Sequence, residues 1–187
     1  MKRDLPKVIR DAQLLARTNP ELKALLYNTL KSLSALKAGE KLKWLREEID
    51  LAIDESSDET KCAKGCHHCC FHPITLSQEE FRSIQEAPIS KERLNAQIGH
   101  FSADQPISYE DRACIYLKDG QCSVYEERPL ICRLTHVSSV PKNCHLEEGE
   151  AITHLPVTKA ALMAGAYYML HNDLDLIPLF SNKSQNN

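Results

Sequence analysis

Four cysteines stand within nine residues in the middle of this chain, in the segment Cys62-Ala-Lys-Gly-Cys66-His-His-Cys69-Cys70. Thiols this close along the chain must lie close in space in any fold. Left free they would be open to oxidation, whereas a soft metal ion would use them, because thiolate is the ligand that such ions prefer. The segment therefore predicts a metal site.

A second group of four cysteines follows, separated by 7, 9 and 11 residues: Cys114, Cys122, Cys132 and Cys144. Cys66 and Cys69 have the spacing of a chelating pair. Cys69 and Cys70 are adjacent, so we expect their side chains to diverge and to serve two different metals or to bridge them. The eight cysteines then form two four-thiolate sites or one polynuclear site for zinc or iron, iron–sulfur clusters included. The division of ligands between sites does not follow from sequence.

The cellular compartment decides between metal ligands and disulfides. Residues 1–18 carry mixed charge and lack the apolar stretch of a signal peptide. The longest apolar run, at residues 160–170, is too short to cross a bilayer. We therefore expect a cytoplasmic protein, in which thiols stay reduced. Four disulfides are the alternative, which this compartment disfavours. Cys144 taken alone would also suit an ordinary core position.

The cysteine spacing resembles that of a known family. The C-x3-C-x2-C-C segment, followed by Cys114, Cys122 and Tyr125-Glu-Glu-Arg-Pro-Leu-Ile-Cys132-Arg133, is similar to the YkgJ-like cysteine-cluster family, whose domain is described as zinc- or iron-chelating. The similarity covers about residues 60–145. Seven cysteines match the family pattern directly, and Cys144 matches its looser late cysteine. The resemblance implies zinc or iron binding through these side chains.

Other side chains near the cysteines are candidates for a supporting role. Pro129 fixes the backbone on the approach to Cys132. Arg128 and Arg133 either neutralise a site that two divalent ions would leave negative, or form surface salt bridges, and both interpretations stay open. Histidine can replace a thiolate on zinc. With eight cysteines available, we expect loop or supporting roles instead for the nearby histidines: His67, His68, His72, His136 and His145.

Apolar spacing predicts three helices before the first cysteine. The first ends near Thr18. The second begins with Asn19 as its cap and Pro20 at its first position, and ends at Gly39. The third extends over residues 42–53. These helices form an N-terminal helical region, residues 1–58.

The cysteine region contains shorter predicted elements. Ser77 and Glu80 have capping-box spacing, and a second helix start lies at Ser90. Asp119-Gly120, between Cys114 and Cys122, predicts a small β-hairpin. A further helix over residues 157–171 is apolar on most sides and should be buried.

The predicted fold is mostly α with a minor β component. It has an N-terminal helical lobe (1–58), a cysteine domain (59–180) and a disordered tail (181–187). The cysteine domain is rich in loops, is held together by bound metal, and includes the buried C-terminal helix. A length of 187 residues fits one domain with an appendage or two small lobes.

Net charge limits the choice of partners. The net charge of −3 argues against a general polyanion binder. Residues 2–46 carry eleven Lys and Arg against four acids, a pattern more typical of a solvated surface than of a nucleic-acid site. We expect no membrane or nucleic acid as a partner, and a protein partner remains open.

Three functions fit the cysteine cluster. The first is a structural or regulatory module held together by zinc or iron. The second is an iron–sulfur or non-haem iron protein, electron carrier, sensor or enzyme. The third is a metal carrier. No nucleophile–base pair, phosphate loop or paired-carboxylate motif is present, so no catalytic residue is assigned and enzymatic activity stays open.

Overall fold

The computed structural model describes residues 7–55, 62, 64–71, 74–103, 108, 110–135, 157–171 and 177–178. The fold is mostly α with a minor β component, as the sequence predicts. The helices are α1 (Lys7–Ala16), α2 (Pro20–Ala35), α3 (Ala38–Asp54), α4 (Gln78–Ile84), α5 (Lys91–Ala103), α6 (Leu130–Arg133) and α7 (Thr158–Leu170). The strands are β1 (Thr75–Leu76), β2 (Leu117–Lys118), β3 (Gln121–Cys122) and β4 (Ile177–Pro178).

Helix α7 is the centre of the larger core. Residues 160–168 of this helix are all buried, and α1, α2 and α3 each pack against it. Gly165 permits the close approach of α1, because a Cβ atom here would lie 2.9 Å from Cγ2 of Ile9. Leu130 and Leu134 belong to the same core. The predicted buried helix is confirmed, whereas the domain boundary at residue 58 stays a prediction.

The start of α2 follows the sequence prediction. The Asn19 side chain accepts hydrogen bonds from the N–H groups of Glu21 and Leu22, at 2.9 and 3.1 Å, and Pro20 is the first helical residue. These bonds satisfy donors that have no partner within the helix.

The predicted end of α2 at Gly39 is wrong. Helix α2 ends at Ala35, and Gly39 lies in the first turn of α3. The Glu40 carboxylate accepts a hydrogen bond from the N–H of Lys37 at 3.2 Å, which fixes the start of α3 before the glycine. Glycine at a helix junction therefore marked a helix start here and not a C-terminal cap.

The cysteine region is built from short elements around a second, smaller core. Strands β2 and β3 form the predicted hairpin, with Leu117 opposite Cys122 and the turn at Asp119-Gly120. Strand β1 pairs antiparallel with β4. The smaller core contains five buried side chains: Leu76, Ile84, Ile115, Tyr116 and Val124. Cys114 and Cys122 pack against its edge.

The predicted capping box at Ser77 is confirmed. The Ser77 hydroxyl accepts a hydrogen bond from the N–H of Glu80 at 3.1 Å, and the Glu80 carboxylate accepts one from the N–H of Ser77 at 2.7 Å. Both groups are buried. The box starts α4, which holds the smaller core next to the cysteines.

Candidate metal centre

The first cysteine segment folds into a turn followed by a short 3-10 helix. Gly65 has a φ of +95°, a conformation that residues with a Cβ rarely adopt, so a glycine at this point lets the chain reverse between Cys62 and Cys66. The 3-10 helix spans His68–Phe71. The N–H of Cys70 donates to the carbonyl of His67 at 2.9 Å. Residues 64–71 therefore form a turn followed directly by the 3-10 helix.

The later cysteines approach the first cysteine segment from three other segments of the chain. Cys114 precedes the hairpin, and its N–H donates to the carbonyl of Cys70 at 2.8 Å. Cys122 lies in β3 and Cys132 in α6. The Cys62 thiol contacts the carbonyl of Thr135, just beyond α6, at 3.8 Å. Backbone and thiol contacts therefore join segments that are far apart in sequence.

Cys70 lies at the centre of the thiol cluster. Its thiol hydrogen-bonds to the thiols of both Cys69 and Cys122. The expectation that the adjacent side chains of Cys69 and Cys70 diverge, and serve two different metals or bridge them, stays a prediction. One cysteine thus connects the first segment with the hairpin.

Electrostatic coupling extends across the described cysteines. The hydrogen bonds from Cys70 lower the pKa of Cys69 and the pKa of Cys122, each to about 7. Burial raises the pKa of Cys114 to about 11 and the pKa of Cys132 well above its usual value. Deprotonated thiols in this cluster would repel one another. A cation that replaces the thiol protons would therefore be stabilised here.

The thiol cluster also has nearby cations. The Arg128 guanidinium lies 4.0 Å from the centre of the Tyr125 ring, and its charge helps to lower the pKa of Cys69 and of Cys122. Arg93 donates hydrogen bonds to the carbonyls of Leu117 and Cys114, the latter at 3.5 Å. The first of the two interpretations of Arg128, charge compensation, is therefore supported, and Arg93 is a contributor that the sequence did not reveal.

Arg133 has a different role from Arg128. Its side chain is only 3% exposed and forms an ion pair with Asp50 of α3. It also donates to the carbonyls of Glu126 and Arg128. These bonds attach the segment around Cys132 to α3. Arg133 is thus neither a surface salt bridge nor a direct partner of the thiols, and no sequence signal pointed to Asp50.

His67 and His68 lie within the first cysteine segment. The rings of His67 and His68 stack with centroids 5.0 Å apart, and Gly120 of the hairpin turn lies against His67. This packing suits the supporting role that we expected for them. Cys144, with His72, His136 and His145, lies outside the described residues.

Seven of the eight predicted ligands lie in the described part of the chain, each of them partly exposed and none in a disulfide: Cys62, Cys66, Cys69, Cys70, Cys114, Cys122 and Cys132. Within that part of the chain, no three His, Cys, Asp or Glu side chains surround a common point as the ligands of one ion do. Thiol–thiol hydrogen bonds join Cys70 to Cys69 and to Cys122. The donor chemistry nevertheless fits zinc and iron, since both are bound by four thiolates in proteins.

The chain is mostly helical, and its described cysteines come from four segments that contact one another. Residues 61–157 match the model of the CxxCxxCC family, described as "Putative zinc- or iron-chelating domain". Because the match covers more than half of the chain, this protein belongs to that family. The chain departs from the family's name at one point, with three residues between Cys62 and Cys66 where the name has two.

Other comparisons add little to this assignment. No curated protein and no solved structure matches the chain significantly. Every helix in the described part of the chain is too short or too polar to span a bilayer.

Proposed function

We propose that the protein binds zinc or iron through its cysteine cluster and that the metal holds the cysteine region in shape, as a structural or regulatory module. The observation that carries the proposal is the approach of separate cysteine segments to one another. The N–H of Cys114 donates to the carbonyl of Cys70 at 2.8 Å, and the Cys62 thiol lies 3.8 Å from the carbonyl of Thr135, next to the helix that carries Cys132. Cys144 is included as the eighth ligand on the sequence pattern.

A structural role for the metal is supported by the short secondary-structure elements and the small core that the structure describes in the cysteine region. Strands β1, β2 and β3 have two residues each, and α6 has four. Among the residues that the structure describes, the smaller core has five buried side chains, against twenty in the core around α7. Structural zinc contributes about 10–16 kcal/mol to the folding of small metal-binding domains. An ion bound by cysteines from four segments would therefore stabilise the fold of this region without a larger hydrophobic core.

A redox function is the second candidate. All seven described cysteine residues are partly exposed, although burial raises the pKa of the Cys114 and Cys132 thiols, and solvent exposure is one of the properties that set the potential of iron–sulfur clusters. A cluster at this position would be accessible to an electron-transfer partner. A purely structural zinc site has no need of such access.

Metal analysis of the purified protein tests the proposal. The chain is purified without oxygen and without a metal-binding tag, then assayed for zinc, iron and acid-labile sulfide, with a visible spectrum. Colourless protein with up to two zinc ions and no sulfide supports the structural module. Brown protein with iron and sulfide supports the redox candidate. Protein that binds neither metal in reconstitution contradicts both.

A further inference from the structure

Glu80 is a fully buried carboxylate next to the cysteine region, with a relative exposure of 0%. One oxygen, Oε2, accepts from the N–H of Ser77 at 2.7 Å and lies 3.2 Å from the hydroxyl of Tyr168. The other, Oε1, accepts from the N–H of Leu130 at 2.8 Å. The carboxylate therefore connects α4, α6 and α7.

The bond to Leu130 matters because of what α6 carries. This helix has only four residues, and Pro129 at its cap position provides no side-chain hydrogen bond. Glu80 thus supplies from a distant segment the acceptor that a capping side chain would normally supply. Cys132 lies two residues after Leu130. Leu130 and Cys132 belong to the same short helix, so a contact that holds Leu130 also bears on the placement of Cys132.

The chemistry of the anchor requires a carboxylate. The two oxygens accept from two backbone N–H groups that point at them from different segments. A glutamine side chain has one oxygen, and its NH2 group would face an N–H donor. One buried donor would then lose its partner, and the start of α6 would shift away from α4.

We propose that Glu80 is a positioning residue for the metal centre, which acts by fixing the helix that presents Cys132. The inference rests on the proposed metal binding and adds a residue outside the cysteine pattern. Residues that hold metal ligands in their positions change metal affinity by about 10- to 100-fold when they are replaced.

Cobalt(II) titration of the reduced, metal-free full chain tests this inference. Cobalt replaces zinc, and the intensity of its sulfur-to-cobalt charge-transfer band rises with the number of bound thiolates. We expect Glu80→Gln to bind cobalt about 10- to 100-fold more weakly, with a weaker band for each bound ion. Glu79→Gln is the matched control, since Glu79 accepts from Tyr167 at 2.7 Å and caps nothing in α6.

A double-mutant cycle separates positioning from general destabilisation. In a Cys132→Ala background, Glu80→Gln should change the cobalt affinity by no more than about twofold, because the residue through which it acts is absent. Equal effects of Glu80→Gln and Glu79→Gln, or a full effect of Glu80→Gln in the Cys132→Ala background, would overturn the inference while metal binding stands. Wild-type protein that binds no cobalt would overturn the proposed function as well.

A second pair of variants tests the positioning role of Glu80 if Glu80→Gln does not fold, as judged by far-ultraviolet circular dichroism. Leu130→Pro removes the N–H donor at a first-turn position where proline is tolerated, and Pro129 already has the extended ψ of 153° that suits a residue before proline. Leu130→Ala removes the side chain and keeps the donor. We expect Leu130→Pro to bind cobalt about tenfold more weakly than Leu130→Ala, and equal affinities would refute the role of Glu80.

Discussion

Replacing Asp50 with asparagine removes the charge that pairs with a buried arginine. Asp50 bonds to Arg133, whose side chain is 3% exposed, and its other oxygen lies 3.7 Å from Arg128. A hydrogen bond to a charged group contributes about 1.5–3 kcal/mol to stability. The Asp50 side chain is itself 43% exposed, so water screens part of this interaction. We expect Asp50→Asn to lower the free energy of unfolding by about 1–2 kcal/mol.

The matched control is Asp11→Asn. Asp11 pairs with Lys7 at 2.6 Å, but the two side chains are 55% and 80% exposed. A surface pair of this kind contributes no more than about 0.5 kcal/mol. The two substitutions therefore make the same chemical change in a short ion pair and differ in the burial of the partner.

Urea unfolding at pH 7 with a reductant, followed by far-ultraviolet circular dichroism, measures both variants. With a slope of about 2 kcal/mol per M, Asp50→Asn should lower the unfolding midpoint by about 0.5–1 M, and Asp11→Asn by much less. If the two midpoints are equal, Arg133 does not depend on Asp50, and the attachment of α6 to α3 has been assigned to the wrong contact.

Three further predictions concern the first cysteine segment and the core. Gly65→Ala should weaken metal binding and lower stability by about 1 kcal/mol because of the φ of +95°, whereas Gly39→Ala, in a helix with open space around it, should raise stability by about 0.5–1 kcal/mol in the same denaturation assay. Cys69→Ser and Cys70→Ser should each lower the metal content measured by elemental analysis, and full metal content in Cys70→Ser would contradict a bridging role. Burial raises the pKa of Tyr168, so the folded state holds this proton more tightly than the unfolded state. Its contribution to stability is therefore complete below about pH 10 and lost as the pH rises further, a decline in unfolding free energy that Tyr168→Phe should make shallower.

Local signals in the sequence predicted most of the helical fold. The cap at Asn19 and the capping box at Ser77 depend on residues within three positions of each other, so sequence alone determines them. The hairpin at Asp119-Gly120 depends on the same kind of short-range geometry. Gly39 shows the limit, because a glycine between two helices suits either the end of one or the start of the next.

The cysteine cluster was predictable in composition but not in geometry. The spacing of Cys62, Cys66, Cys69 and Cys70 indicated a metal site without any structure. The meeting of Cys70 with Cys122 depends on how a 3-10 helix and a hairpin dock, and whether Cys69 and Cys70 serve different metals stays a prediction. Side-chain direction in a tight turn follows from the backbone dihedral angles, which residue spacing does not specify.

Polar contacts between residues far apart in the sequence are the part of the structure that the sequence did not predict. The capping box identified the bond between Glu80 and Ser77, three positions away, but the second bond of the same carboxylate reaches Leu130, fifty positions away. Helix α6 is held by this bond on one side and by the pairing of Arg133 with Asp50 on the other. Leu130 and Leu134 of this segment pack into the core around α7, while Cys132 faces the thiol cluster. A metal bound at Cys132 would therefore be linked to the stability of the helical core through residues that are not metal ligands, and the family's cysteine pattern by itself does not reveal that link.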